Sequence, residues 1–373
     1  MKISVISAGE LGTAERQRWR ELQASNGRLA SPCFCVEFTL AAAAARPDVR
    51  IGVLEEHQAI VGFFPFQVRR GAGEPIAGRM SDHHGVVAAP GTEWNWIELL
   101  RGCGLSYWQF DHLPAWQRPQ GVAVSHASSP GLDLSRGFAA WHQRRLDAGH
   151  KLQKLTRQAR KLARDVGPLR LELNSRDSAL FETVVQLKRE QCQRTRQLDF
   201  FAWPWTRALV ESIRDVDEPQ FGGRLSALYA GDTLVAAHFG MRSPWVWQWW
   251  FPVYSRAHHA YSPGALLLLQ VAEAAAAEGH LLLDLGKGDE PYKDRFSDCA
   301  TPLVEGLVSR PTLATAALQM RKKAGHWLRT SPVAQPLRPV LQRIRRIGQA
   351  SAAGGMQLYL MWGEPLAPPG LIA

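Results

Sequence analysis

The chain has few cysteines, and they do not form sets. Five are spread over 373 residues, and only Cys33 and Cys35 are close together. No second pair completes a zinc site, so no metal is expected. An odd, scattered number of thiols reads as buried and reduced, as in a cytosolic protein. Long apolar runs are missing too. The opening "MKISVISAGELGTAERQRWR" alternates like a strand and then turns polar, without the apolar core of a signal peptide. The most apolar helix candidate, "ALLLLQVAEAAAA", is interrupted by Gln270 and Glu273 and is too short and polar to span a bilayer. Acidic residues are in the minority, 34 against 44 Lys and Arg, which leaves a net charge of +10. That balance favours anionic partners: a phosphorylated cofactor, a carrier protein, a nucleic acid or an anionic membrane face.

What remains is globular. The chain is 46% hydrophobic and 21% charged, and its length suits two domains. "IGVLEEHQAIVGFFP" and "LSALYAGDTLVAAHF" match at a constant offset. Ile51 falls on Leu225, Leu54 on Leu228, Ile60 on Leu234 and Val61 on Val235. Each stretch reads as a hairpin. Each follows a helix candidate, "CVEFTLAAAAAR" or "WTRALVESIRD", and precedes a loop, a helix and a strand. This repetition predicts a duplicated α/β fold with mixed sheets. The expected division is 1–135, a connecting basic region 136–168, 169–310, and a basic helical tail 311–373.

The connecting region contains "HKLQKLTRQARKLARDVG", with Leu152, Leu155, Ala159 and Leu162 on one helical face. Lys151, Lys154, Arg157, Arg160, Lys161 and Arg164 surround that stripe, as a solvated face or an anion-facing wall. The tail, with Arg338, Arg343, Arg345 and Arg346 beside an apolar stripe, suits packing on its own domain, an anionic lipid surface or an anionic nucleotide.

The stretch "LLLDLGKGDEPYKDRF" holds the densest chemistry. Leu281 to Leu285 reads as a buried strand, and Asp289, Glu290, Tyr292, Lys293, Asp294 and Arg295 crowd at its end. Ligands of α/β sheets gather beyond such carboxyl ends. Upstream, "YSPGALLLL" places Ser262, as N-cap, and Gly264 at a helix start, where free N–H groups favour phosphate. The two loops flank one helix–strand unit and are expected to line one cleft. His238, in "LVAAHFGMR", is either a core histidine or a base.

"DLGKGDEPYKDRF", with "YSPGALLL", "MSDHHGV", "FDHLP" and "KLQKLTRQARKLARDVGPLRLEL", resembles the FemAB-like branch of the GNAT acyltransferases, more narrowly the CelD-like group linked to cellulose or exopolysaccharide biosynthesis. The resemblance runs from about Ile3 to Leu307. It implies two GNAT-like folds in tandem and N-acyl transfer from an activated donor, with acetyl-CoA as the default. Only Gly264 stands where ordinary GNAT enzymes have a Gly-rich turn, so an acyl carrier protein or an aminoacyl-tRNA stays open as donor. The implied acceptor is an amino sugar or a lipid-linked polysaccharide precursor, handled in the cytoplasm or at the inner membrane face beside a membrane-bound synthase.

Acyl transfer to an amine needs a base, an acid and donors for the carbonyl oxygen. Asp289 and Glu290 are the expected bases, with His238 as an alternative. Tyr292 is the acid, and Lys293 anchors phosphate or carbonyl oxygen. Ser262, Gly264 and Gly288 are expected to bind the donor. Asp82, His83 and His84 of "SDHHG" are the expected acceptor contacts. Two rival readings are a non-catalytic protein that binds an anionic nucleotide or a membrane synthase, and a peptide-forming transferase of the FemAB type.

Overall fold

The computed structural model describes residues 1–69 and 71–311. From residue 312 on, the expected basic tail lies outside the described residues.

The two matching stretches are hairpins, as two apolar runs around a short polar turn predict. Val49–Glu56 turns into Ala59–Arg69 through His57 and Gln58, both at positive φ. Phe221–Ala230 turns into Thr233–Arg242 through Gly231, also at positive φ. Two-residue loops of this kind match the twist of the strands they join. In the first half, Lys2–Ile6 pairs antiparallel with Val49–Glu56 after the intervening helices Thr13–Ala24 and Val36–Ala45. In the second, Leu169–Glu172 pairs antiparallel with Phe221–Ala230 around the helices Ser178–Thr195 and Pro204–Arg214. Beyond each hairpin come a further strand, a helix and a strand parallel to it. Ala72–Glu74, Trp96–Gly102 and Tyr107–Pro114 fill these places first, then Val246–Tyr254, Pro263–Ala277 and Leu282–Asp284. The plan therefore occurs twice, as the offset predicts.

The halves exchange their last strands. Val124–Asp133, which follows the first half, pairs with Leu282–Asp284 of the second. Cys299–Ser309, which ends the second half, pairs with Tyr107–Pro114 of the first. The two exchanged strands also pair with each other, Cys299 opposite Gly131. One continuous sheet results, and Met1–Arg310 form one compact unit.

Aromatic packing supports both faces. Phe38, Phe181, Phe221 and Phe239 share one core cluster. Trp141, Leu155, Leu162, Trp247 and Leu267 share another. The leucine stripe of the helix Gln153–Asp165 is thus buried, as its periodicity predicts. Each fully buried leucine contributes about 1.5–3 kcal/mol. No described helix is long and apolar enough to cross a membrane.

Candidate active site

The three-residue strand Leu282–Asp284 lies near the middle of the sheet. Gln248 stands beside Asp284 on one side and Gly131 on the other. Asp284 is buried, and its Oδ1 accepts from Ser129 Oγ at 2.6 Å and from the Gly286 N–H at 2.9 Å. Gly286 takes φ +73°, a left-handed conformation that glycine adopts without strain. A Cβ there would lie 3.3 Å from Asp82 Oδ2. The S-D-H-H-G loop of the first half and the G-D-E-P-Y-K loop of the second therefore meet.

Asp82 is partly buried and accepts a hydrogen bond from Gln248 Nε2. Burial raises its carboxyl above the ordinary range, and nearby Asp284 adds to this against His112, His83 and the Gln248 bond. His83 Nδ1 lies 3.7 Å from Asp284 Oδ2. Burial lowers the His83 imidazole despite the two carboxylates around it. Cys33 Sγ lies 3.7 Å from Gln248 Oε1, and burial pushes the thiol up to about 12, so it stays protonated.

His84 has a different place. Its Nε2 accepts from the backbone N–H of Asp111 at 3.3 Å and of His112 at 3.1 Å. Burial pushes it down to about 3, so it pins the strand Tyr107–Pro114 as a neutral ring. His112 Nδ1 is 3.0 Å from Asp111 Oδ1. Burial acts to raise the Asp111 carboxyl, but His112, His84 and Lys287 together hold it far below the usual range. Lys287 donates to Asp111 O at 3.2 Å and pairs with Glu305. His84, Asp111 and His112 bring ligand atoms within 4.8 Å of one another. They fit a metal poorly, because the Nε2 lone pair of His84 already faces two N–H groups.

Pro291 opens the short helix Pro291–Phe296, as its fixed φ favours. Lys293 on this helix is buried rather than aimed at a cleft. Its Nζ donates to Gly286 O at 2.9 Å and Lys287 O at 3.1 Å, and pairs with Glu290 Oε2 at 2.8 Å. The ammonium has three donors, and all are engaged. Lys293 therefore clamps the loop, which replaces the expected phosphate contact. Gly288, at φ +143°, packs where a Cβ would collide with the Glu290 carboxylate and Lys293 Nζ. Its absent side chain thus serves the clamp. Burial acts to raise the Glu290 carboxyl, but the hydrogen bond and charge of Lys293 keep it low. Tyr292 packs on the second core cluster, and burial, then Glu290, push its phenol up. Asp289 is exposed and has no partner among the described residues. Half-buried Lys188, which sequence reasoning missed, feels both Glu290 and Lys293, and burial lowers its ammonium.

Three expected residues stand elsewhere. His238 has no exposed surface, stacks on Trp249 at 4.0 Å and 8°, and accepts the Trp250 N–H at 3.3 Å. Burial pushes it down to about 3. Of its two expected places, the structure selects the core and not the base. Ser262 takes φ +54° and does not cap with its side chain. Its Oγ accepts instead from Gln158 Nε2 at 3.1 Å. At Gly264 a Cβ would only touch Tyr254 at 3.5 Å, so no crowding demands glycine there. No described contact links Ser262 or Gly264 to Asp82 or Gly286.

Residues 149–294 match the family model described as an acetyltransferase (GNAT) domain. FemX has a similar structure over 86% of this chain and 99% of its own, at 9% identity and TM-score 0.54. The C-terminal domain of an Agrobacterium fabrum protein assigned as a lysylphosphatidylglycerol synthetase is similar over 85% of this chain and 97% of its own, at 13% identity and TM-score 0.51. At such identities the likeness is one of fold. No curated protein matches the chain. The chain has a mixed α/β fold whose plan occurs twice, and its residues 149–294 carry a GNAT acetyltransferase domain.

Proposed function

We propose that this N-acyltransferase acetylates an amine of a sugar or lipid-linked precursor of a surface polysaccharide, with acetyl-CoA as donor. The reading rests on the meeting of Asp82 and Gly286. It brings a carboxyl with raised proton affinity to the backbone turn beyond a central strand, where α/β folds hold ligands.

Asp82 takes a proton from the acceptor ammonium, so that a neutral nitrogen attacks the thioester carbonyl. The C–N bond forms and the C–S bond breaks. Tyr292, with its phenol held protonated, gives its proton to the leaving thiolate and regains one from the nitrogen as the amide forms, while Asp82 returns its proton to solvent. Buried His83 and Asp284 hold the floor beneath Asp82. Lys293 fixes the loop from Gly286 to Glu290, and exposed Asp289 is available to the acceptor.

The test is product formation. Purified protein is incubated with acetyl-CoA and a panel of amino sugars and nucleotide amino sugars, and products are read by mass spectrometry. Parallel arms use an acetylated acyl carrier protein and aminoacyl-tRNA. An amide from acetyl-CoA supports the reading, and an amide only from another arm changes the donor. No amide in any arm from folded protein removes it.

A further inference from the structure

The helix Gln153–Asp165 carries charge that its own fold does not use. Lys154, Arg157, Arg160, Lys161 and Arg164 stand on it with one carboxylate, Asp165. Arg164 pairs with Asp165, and Lys161 lies over the Tyr261 ring. Lys154, Arg157 and Arg160 are exposed and have no ion pair or hydrogen-bond partner among the described residues. Lys151, just before the helix, is also exposed. Several other surface arginines are paired, among them Arg207 with Glu182 and Glu211, and Arg144 with Asp298.

This pattern works against the helix. Like charges three and four residues apart repel along its surface. The first turn has no acidic residue, and Lys154 sits at the positive end of the helix dipole. Gln158 ties the helix to the neighbouring turn Arg256–Tyr261 by donating to Ala260 O at 3.2 Å, and that turn adds exposed Arg256 and His259. Charge kept at a cost to local stability points to an outside partner.

We propose that this face docks on an anionic phospholipid surface. Leu155 and Leu162 have no exposed area and Leu152 has 1%, so the helix cannot turn its apolar side into a bilayer. Binding is by charge alone. Positions 154, 157, 161 and 164 follow one side of the helix for ~15 Å. A built phosphate pocket holds its cations with further contacts. Here the three unpaired side chains are free, which suits a plane of mobile headgroups. A nucleic-acid track adds aromatic rings for bases to stack on. The stripe has none, and Tyr261 beside it is engaged with Lys161 and Asp165.

The test uses the full chain and needs no turnover. Wild type and a Lys154→Gln, Arg157→Gln, Arg160→Gln triple variant are sedimented with phosphatidylglycerol–phosphatidylcholine vesicles and with phosphatidylcholine alone. Circular dichroism checks that both are folded. Wild type is expected to bind only the anionic vesicles, more weakly as salt rises. The triple variant is expected to lose affinity about 100-fold. Equal binding by wild type and variant overturns the proposal, as does binding to neutral vesicles. A variant that loses binding to a bulk tRNA mixture while keeping the vesicles also overturns it. Failure here leaves amide formation with soluble substrates untouched, so the two readings fall separately.

Discussion

Asp82 of the first half and Gly286 of the second are in contact distance across the seam of the sheet: a methyl group on Gly286 would lie 3.3 Å from Asp82 Oδ2. Gly286 also holds φ +73° just after its N–H donates to Asp284. Gly286→Ala should therefore destabilise the protein by about 1–2 kcal/mol from backbone strain alone. It should also displace Asp82 and lower turnover more than stability. Thermal melting and turnover, measured on the same preparation, check both.

Asp82→Asn should lower the rate about 100-fold or more if the carboxylate is the base. The folded carboxyl is raised above its unfolded value, so the folded state holds the proton more tightly. Stability from this group is present below the unfolded value near 3.9 and is lost as pH rises through the folded one. The variant should accordingly be as stable as wild type, or more so, at neutral pH. For wild type, kcat/KM should rise with pH through a value above the ordinary carboxylate range. A flat profile assigns the base elsewhere.

His238→Phe should keep turnover and lower stability. It leaves the Trp250 N–H without its acceptor, which costs about 1–3 kcal/mol. His84 and His238 both have imidazoles pushed down to about 3, below the unfolded value near 6.5. Their unfolded forms bind protons first on acidification. Stability from both is full above pH ~6.5 and falls as pH drops toward the folded values. Urea unfolding followed across that window should show the decline, with a shallower slope in the variant.

Lys293→Met removes the clamp. It leaves the carbonyls of Gly286 and Lys287 without their donor, a loss of about 1–3 kcal/mol. Hydrogen exchange should rise over 286–290, and turnover should fall while donor KM holds. A rise in donor KM with unchanged turnover would restore Lys293 as a direct donor contact.

The duplicated plan was legible because two apolar runs around a short polar turn are a local signal. The strand Leu169–Glu172 and the helix Ser178–Thr195 were not singled out, since neither lies in the matched stretches. The meeting of the S-D-H-H-G and G-D-E-P-Y-K loops was hidden because strand neighbours are set by long-range pairing. Gln248 offered a signal that went unused: one amide in the aromatic run "WVWQWWF" needs a partner, and Asp82 is that partner. Lys293 looked like a ligand contact because its acceptors are backbone carbonyls, which side-chain patterns do not reveal. Ser262 had the residue type of a cap but not its backbone angle.

The exchange of last strands sets an order on the birth of the chain. The edge Tyr107–Pro114 emerges from the ribosome nearly two hundred residues before its neighbour Cys299–Ser309. Until then Trp108, Phe110 and Leu113 wait beside an open row of peptide groups, the kind of edge on which nascent chains stick together. The first half therefore cannot mature as an independent piece, and a ribosome stalled near residue 200 would hold out an aggregation-prone stub.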